Sequence, residues 1–543
     1  MAGPGSGALP GDRPSRCAMT VTENTPQNVP GRQGDWAQSG LVRICIALGL
    51  FAFWAAYYAW CLFPGLGGVM NAGDTAKFQT LGHTQILVHG PGYPLVLFLG
   101  AVLRALDLPV EPWRAMTLAM AALPGSVANT MAFLIVARVT GSLAFGIAGS
   151  LLLGSAGLMA VQSTEAEVYP LALAFVLSTT FLLILFLDTK REGYFVAACA
   201  VYALSFGNHL MMIMLVPLFL LVTAVHWRRL LRPRIVASVL AVTALGASQY
   251  LYLAYMTHHP ETAYSEYLPL PPTIPDLLRY ISGTYFSGLY GSGLRSTYSS
   301  ETLLMTLRSA HPWISAPLIV AGAVLFAAGW RRRDAGWIGV ATVFAVALSF
   351  VPFVIWYGAY DIQAFHLPVL GPLLVAAVAG LGWWLGRWRV LQQGAAVLLI
   401  ALGVWRATVM AEGLTERQPI FTELPETLEA LVAQAPIEDP LVSMTYGLRM
   451  ATLYHELLGD MPQARYRVPW RAEEAAVARA EIGGIVVPTD GEQLLRWIEH
   501  RHPDLACRSW ALDQPEGTPW PAYAFSCARD GATEAAPAQA EDG

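Results

Sequence analysis

From Leu41 to Ala411 the chain alternates long apolar stretches with short polar breaks, and beyond Glu412 apolar and charged positions mix as they do in water-exposed domains. A helical run of about 20 apolar residues matches the roughly 30 Å of hydrocarbon in a bilayer. The pattern predicts an α-helical polytopic membrane protein with about eleven spans. Their expected bounds are 41–63, 114–138, 142–161, 168–187, 193–209, 210–226, 235–256, 313–330, 337–357, 363–386 and 390–411. In the tail, PLVSMTYG and GGIVVPT read as short strands, and TLEALVAQA, RMATLYHELLG and GEQLLRWIEHRHP as helices. Residues 412–530 are therefore expected to form a small α/β domain. Residues 1–40, rich in Gly, Pro, Ser and Asn, and residues 531–543 read as disordered ends. No basic start leads into a short apolar run and a small-residue cleavage site, so Leu41–Phe63 is expected to stay as the first span.

Composition agrees with this pattern. Hydrophobic residues make up 55% of the chain and charged residues only 13%, against about 25% charged in soluble domains. Mean hydropathy is +0.47. A net charge of −5 gives no basic surface for nucleic acid. The basic clusters fall in the short breaks: Lys190 and Arg191; Arg228, Arg229, Arg232 and Arg234; Arg331, Arg332 and Arg333; Arg387 and Arg389. All of them, with Arg43 and Arg138, lie on the cytoplasmic side if Pro91–Leu106 does not cross and lies in the interface instead. The expected location is then the plasma (inner) membrane, multi-pass, with a cytoplasmic N-terminus. The loop 64–113, Glu165, Glu167, Asn208, His209, the loop 257–312, Asp361 and an extracytoplasmic C-terminal domain share the opposite face.

That face collects the unusual polar residues. Asp74 stands in NAGDTAKFQTLGHTQILVHGPGYP, just after the first span, among glycines and prolines. A carboxylate at the end of an apolar bundle marks a reaction centre or an ion path, because it is costly to desolvate. A helix N-cap before TAKFQTLGH is the competing reading of Asp74. For Lys77 the structural alternative is a salt bridge to Asp74, for Glu165 and Glu167 a solvated loop, for His209 a packed helix end, and for His89 a shaped turn beside Gly90, Pro91 and Gly92. Tyr93 also reads as an interface aromatic. His258 and His259 are one ligand short of a persuasive metal set. No CxxC, HExxH or Walker loop occurs. Of six cysteines, Cys45, Cys61 and Cys199 fall in or near spans, Cys17 in the N-terminal tail, and Cys507 and Cys527 in the expected external domain, where oxidation permits a disulfide.

GDTAKF followed by HGPGYP resembles the signature of bacterial membrane proteins with a protein-O-mannosyltransferase-like domain. AEVYPLALAF, SFGNHLMMIMLVP, and QYLYLAY with DLLRYISGTYF resemble later segments of the same family, in order, over most of residues 41–386. The chain departs from the family pattern at Lys77, where Glu is usual, at Gly90, where a proline is usual, and at SEYLPLPP, where Trp-Gly is usual. The resemblance implies a bundle of the GT-C superfamily of glycosyltransferases, a polyprenyl-phosphate-linked sugar donor, and an acceptor on the outer side: a protein, a polysaccharide or a lipid glycan. Mannose, other hexoses and pentoses are not separated. Such a transfer needs a base for the acceptor hydroxyl and partners for the departing phosphate. Asp74 is the expected base, and a single displacement would invert the anomeric carbon. His83, His89, His209 and Arg279 are the expected phosphate partners. Lys77 and Tyr93 complete the expected substrate-binding set. Glu165 and Glu167 are read as orienting the acceptor or helping to hold a divalent cation, as acids do in some relatives. A transporter or lipid flippase is the competing function, but its polar groups belong near the bilayer midplane, where this chain has almost no charge. A scaffold with a C-terminal binding module has no positive sign in its favour.

Overall fold

The computed structural model describes residues 40–259, 273–295, 298–312, 315–329, 334–359, 361–421, 424–434, 441–459, 461, 466–467, 482–487, 496, 500, 503–513 and 522–529. The expected disordered ends, Cys17, Arg331–Arg333 and most of the expected helix 491–503 lie outside them.

Among the described residues, seven helices are long and apolar enough to cross a membrane. They are α1 (Gly40–Trp60), the continuous stretch Pro112–Thr140, Tyr169–Thr189, Pro233–Met256, Ala335–Trp356, Ala364–Leu385 and Arg389–Thr415. Each falls on one of the eleven expected spans. Over the other four expected spans, the helices among the described residues are shorter than 18 residues. Segment 142–161 breaks at Ser155 into Leu143–Gly154 and Gly157–Gln162. Segment 193–209 ends as Glu192–Ser205, 210–226 is a 3-10 turn followed by Val216–Val225, and 313–330 contains Ser315–Gly329. Apolarity continues across these breaks, so hydropathy alone does not register them. Helix Pro94–Leu106 has 13 residues and buries Val96, Leu97 and Gly100 while Phe98 and Leu106 stay exposed. At about 1.5 Å per residue it spans about 20 Å, too short to cross.

For the site, the elements used below are α2 (Ala72–Thr80), α3 (Pro94–Leu106), α4 (Tyr169–Thr189), α5 (Glu192–Ser205), α6 (Pro233–His258), α7 (Ala335–Trp356), α8 (Leu367–Leu385), α9 (Leu424–Gln434) and α10 (Tyr446–Leu458). Helix α4 runs between two chemically different ends. At its last turn Asp188 accepts from Arg138 Nε at 2.8 Å. Nearby, Arg229 donates to the Lys190 carbonyl at 2.7 Å, and Arg232 and Arg234 pair with Glu192 at 3.1 and 2.7 Å. Glu167 precedes its first turn, about 31 Å away along the axis. Arg138, Lys190, Arg229, Arg232 and Arg234 therefore lie towards one end of α4, and Glu167 at the other.

The tail contains a five-stranded sheet in the order β2-β1-β3-β5-β4. The strands are β1 (Leu441–Met444), β2 (Tyr466–Arg467), β3 (Ile482–Val487), β4 (Leu505–Ala511) and β5 (Tyr523–Arg529). β1 pairs in parallel with β2 and β3, and β5 runs antiparallel to β3 and β4. Cys507 and Cys527 face each other across β4 and β5 and form a disulfide. The core of this unit is not its own alone. Leu66 and Ala76 pack in one buried cluster with Leu424, Leu428, Met444, Leu448 and Ala451. Helix α2, early in sequence, is thus built into the hydrophobic core of the C-terminal unit.

Candidate active site

Asn71 caps α2: its side chain accepts from the Asp74 N–H at 3.1 Å, and its carbonyl accepts from the Thr75 N–H at 3.0 Å. The cap that is the competing reading of Asp74 is therefore made by Asn71, three residues earlier. Asp74 sits inside the first turn, where a carboxylate is favoured by the helix dipole and its side chain is spent elsewhere. Its Oδ1 accepts from Lys77 Nζ at 2.5 Å and from the Tyr446 hydroxyl at 2.7 Å. Its Oδ2 accepts from Asn71 Nδ2 at 3.2 Å, and the same nitrogen donates to Asp361 Oδ2 at 3.0 Å. Lys77 is one helical turn on, buried to 2% exposure, and also donates to His89 Nδ1.

Around this pair stand Glu167, His89, Tyr93 and His209. Glu167 is buried before α4 and accepts from the Thr75 hydroxyl at 3.2 Å. His89 precedes the cis Gly90–Pro91 bond, and its Nε2 meets the Tyr93 hydroxyl at 3.1 Å. Tyr93 has φ 47°, a left-handed conformation that costs a side-chain-bearing residue about 1–2 kcal/mol. That turn starts α3 and sets the Tyr93 ring against Phe78, His89 and His209, with centroids 5.4, 5.3 and 5.8 Å away. His209 caps the 3-10 turn after α5: its Nδ1 accepts from the Met211 N–H at 3.0 Å. A neutral ring that accepts at Nδ1 carries its proton on Nε2. Tyr169 and Phe365 flank it, at 6.0 and 5.5 Å between centroids.

The carboxyls differ electrostatically. Burial raises the proton affinity of Asp74, but the Lys77 charge and the hydrogen bonds from Lys77 and Tyr446 outweigh it, so Asp74 is held below the ordinary carboxylate range. Burial, then the Asp74 and Asp361 charges, push Glu167 well above that range. Burial and the Asp74 charge also raise Asp361. One carboxylate thus holds the negative charge and two neighbours hold protons more readily. Burial, aided by Lys77, depresses His89 to about 3, and burial depresses His209 to about 4. Both rings are neutral donors at neutral pH.

The remaining expected residues lie apart from this cluster. Glu165 is fully buried and spent on Arg417 Nη1 at 2.8 Å and the Met70 N–H at 3.2 Å. His83 turns to the C-terminal unit, where Nε2 meets the Leu457 carbonyl at 3.1 Å. Arg279 is exposed and pairs with Asp276 at 3.2 Å. Arg417 neutralises Glu165, and among the described residues no group of three or more His, Cys, Asp or Glu is placed to hold a metal. Sequence reasoning missed Asn71 and Tyr446, and it gave Asp361 no role beyond its side. The Asn-x-x-Asp spacing at the start of a helix is the one signal that could have found Asn71.

A cavity of about 610 Å³ lies between α5, the Val216–Val225 helix and α6. Leu230 and Val236 line it near the basic end of the bundle, and Phe206, Leu210 and Ile281 at the other. Phe206 and Leu210 bracket His209 in sequence, so the apolar groove ends beside the polar cluster.

Residues 74–231 match the family described as Protein O-mannosyl-transferase TMEM260 N-terminal domain. No curated protein matches the chain. Among solved structures, ArnT from Cupriavidus metallidurans bound to undecaprenyl phosphate aligns over 91% of this chain and 98% of that one, at 14% identity and a TM-score of 0.48. The apo state of ArnT from the same organism aligns over 90% and 98%, at 13% identity and a TM-score of 0.45. The stretch that holds Asp74, Glu167 and His209 is therefore similar to the N-terminal domain of the TMEM260 protein O-mannosyl-transferase family, and the protein-O-mannosyltransferase-like resemblance of its motifs is borne out.

Proposed function

We propose that the protein is a membrane glycosyltransferase that moves a sugar from a polyprenyl-phosphate donor to a hydroxyl acceptor, with Asp74 as general base. The observation that carries this reading is the cluster itself. An ionised carboxylate, an ammonium group and two neutral imidazoles meet at one end of an apolar bundle, where an apolar groove also ends. The isoprenoid tail lies in the groove, its phosphate accepts from the Nε2–H of His209, and the Lys77 charge helps to offset the charge that builds on it. The acceptor oxygen bonds to the anomeric carbon while the carbon–oxygen bond to phosphate breaks. The electron pair leaves with the phosphate, and the acceptor proton passes to Asp74. A base of low proton affinity suffices, because the hydroxyl becomes acidic only as its oxygen bonds to carbon. One displacement inverts the sugar carbon.

The charge asymmetry of the bundle supports an extracytoplasmic site, since basic breaks favour the cytoplasmic side. The N-terminus is then cytoplasmic and the C-terminal unit extracytoplasmic. A cysteine placed at exposed Val69 should react with an impermeant reagent in intact cells; labelling only after lysis would reverse the orientation. Asp74→Asn tests the base. Asn71 keeps the helix cap, so the variant should fold and bind donor while transfer falls by about 100-fold or more. Purified protein given several polyprenyl-phosphate sugars, with products followed by mass spectrometry, reads both the donor and the loss. Full transfer by the Asn variant would sink the assignment.

A further inference from the structure

We infer that the C-terminal unit completes the reactive centre, with Tyr446 as a positioning residue that fixes the Asp74 carboxylate. The inference rests on the reading of Asp74 as base and goes beyond it by assigning the tail a part in catalysis. Lys77 Nζ donates to the Tyr446 hydroxyl at 3.1 Å, and that hydroxyl donates to Asp74 Oδ1 at 2.7 Å. The direct Lys77–Asp74 bond closes the ring. A carboxylate offers about four acceptor sites. Lys77, Tyr446 and Asn71 fill three, which leaves one on Oδ2 for an incoming hydroxyl.

The geometry keeps Tyr446 in place. It opens α10 directly after β1, so the sheet anchors its backbone. Its ring lies against Gly73, where a Cβ would run into it. A Cβ on Gly447 would lie 3.3 Å from that of Ala72. The far end of α10 is pinned by the contact between His83 and Leu457. The shared core of Leu66 and Ala76 with α9 and α10 seals the contact. A docking surface of this kind holds the domain closed through turnover.

The test uses the full chain in lipid nanodiscs. Tyr446→Phe keeps the ring on Gly73 and removes only the hydroxyl. Its kcat should fall about 10- to 100-fold with donor KM within about twofold, the mark of a group acting on the transition state. An unchanged kcat, or a loss confined to KM, overturns the proposal. In a second arm, Ala72→Cys with Gly447→Cys is oxidised to tie α2 to α10, close to the Cβ separation of about 3.5–4.5 Å that a disulfide needs. Retained turnover fits a permanently docked domain; turnover lost on oxidation and regained on reduction overturns it. A third arm needs no substrate. Lys77 acylation by an amine reagent should rise severalfold in Tyr446→Phe, and an unchanged rate counts against the proposal. If the unaltered protein transfers sugar from no polyprenyl-phosphate donor, the functional reading falls, while the labelling arm still decides the role of Tyr446.

Discussion

A neutral histidine inside the cluster makes the fold sensitive to acid. Burial holds the His209 ring to about 4 against an ordinary 6.5. Between those values the unfolded chain takes up a proton that the folded chain refuses. Stability is therefore lost as pH falls through 6.5 towards 4, by about 2 kcal/mol at pH 5 for this group. His209→Asn keeps an acceptor for the Met211 N–H without the titration. In thermal unfolding at pH 7 and pH 5, the drop in the variant should be smaller by about that amount; an equal drop would assign the acid sensitivity elsewhere. At this scale the sequence was informative where chemistry is local. Asp74, Lys77, His89 and Glu167 stand out because polar residues among glycines and prolines interrupt an apolar chain, and they do meet. Arg279 and His83 stand out for the same reason and do not, because a charge in a loop says nothing of its direction. Tyr446 has no local mark at all: it is one tyrosine at the start of an ordinary amphipathic helix, 372 residues from its partner.

Among elements, the contact of α2 with α10 decides the site. Gly73 is the small residue that lets them meet, since a Cβ there would strike the Tyr446 ring. Gly73→Ala should push α10 away at a cost of about 1–3 kcal/mol, the usual range for overpacking. It should lower transfer without touching any charged group, and Tyr446→Ala in the same chain should restore the lost stability in part. Calorimetry with a transfer assay checks both, and a variant of unaltered stability and rate would show that the helices have room to spare. The seven long helices were legible because hydropathy over about 20 residues is a strong signal. The shorter ones were overcounted in length because Ser155 and the turn before Leu210 end helices without interrupting apolarity. The shared core was not legible, since Leu66 and Ala76 look like ordinary loop and helix residues.

Across the whole molecule, Arg417 joins the last span to the rest. It donates to Glu165 Oε1 at 2.8 Å, to the Cys61 carbonyl at 2.7 Å and to the Thr164 hydroxyl at 2.9 Å. One side chain thus ties the end of the first span, the link before α4 and the segment entering the C-terminal unit. Arg417→Ala leaves Glu165 buried without its partner, which costs about 3–5 kcal/mol in comparable pairs. Adding Glu165→Gln should recover part of that loss, and a double-mutant cycle on melting temperature measures the coupling. Equal losses in the single and double variants would mean that Arg417 acts through Cys61 and Thr164 alone.

The span from Asp74 to Tyr446 also sets an order of events in time. A ribosome adding about 5–20 residues per second needs roughly 20–75 s to cover the interval. For that period the nascent polypeptide displays its acid with no phenol to steady it and no lid over Leu66 and Ala76. If Tyr446 positions Asp74 as inferred, full competence waits until residue 446 has emerged, and a product interrupted before it should transfer sugar poorly.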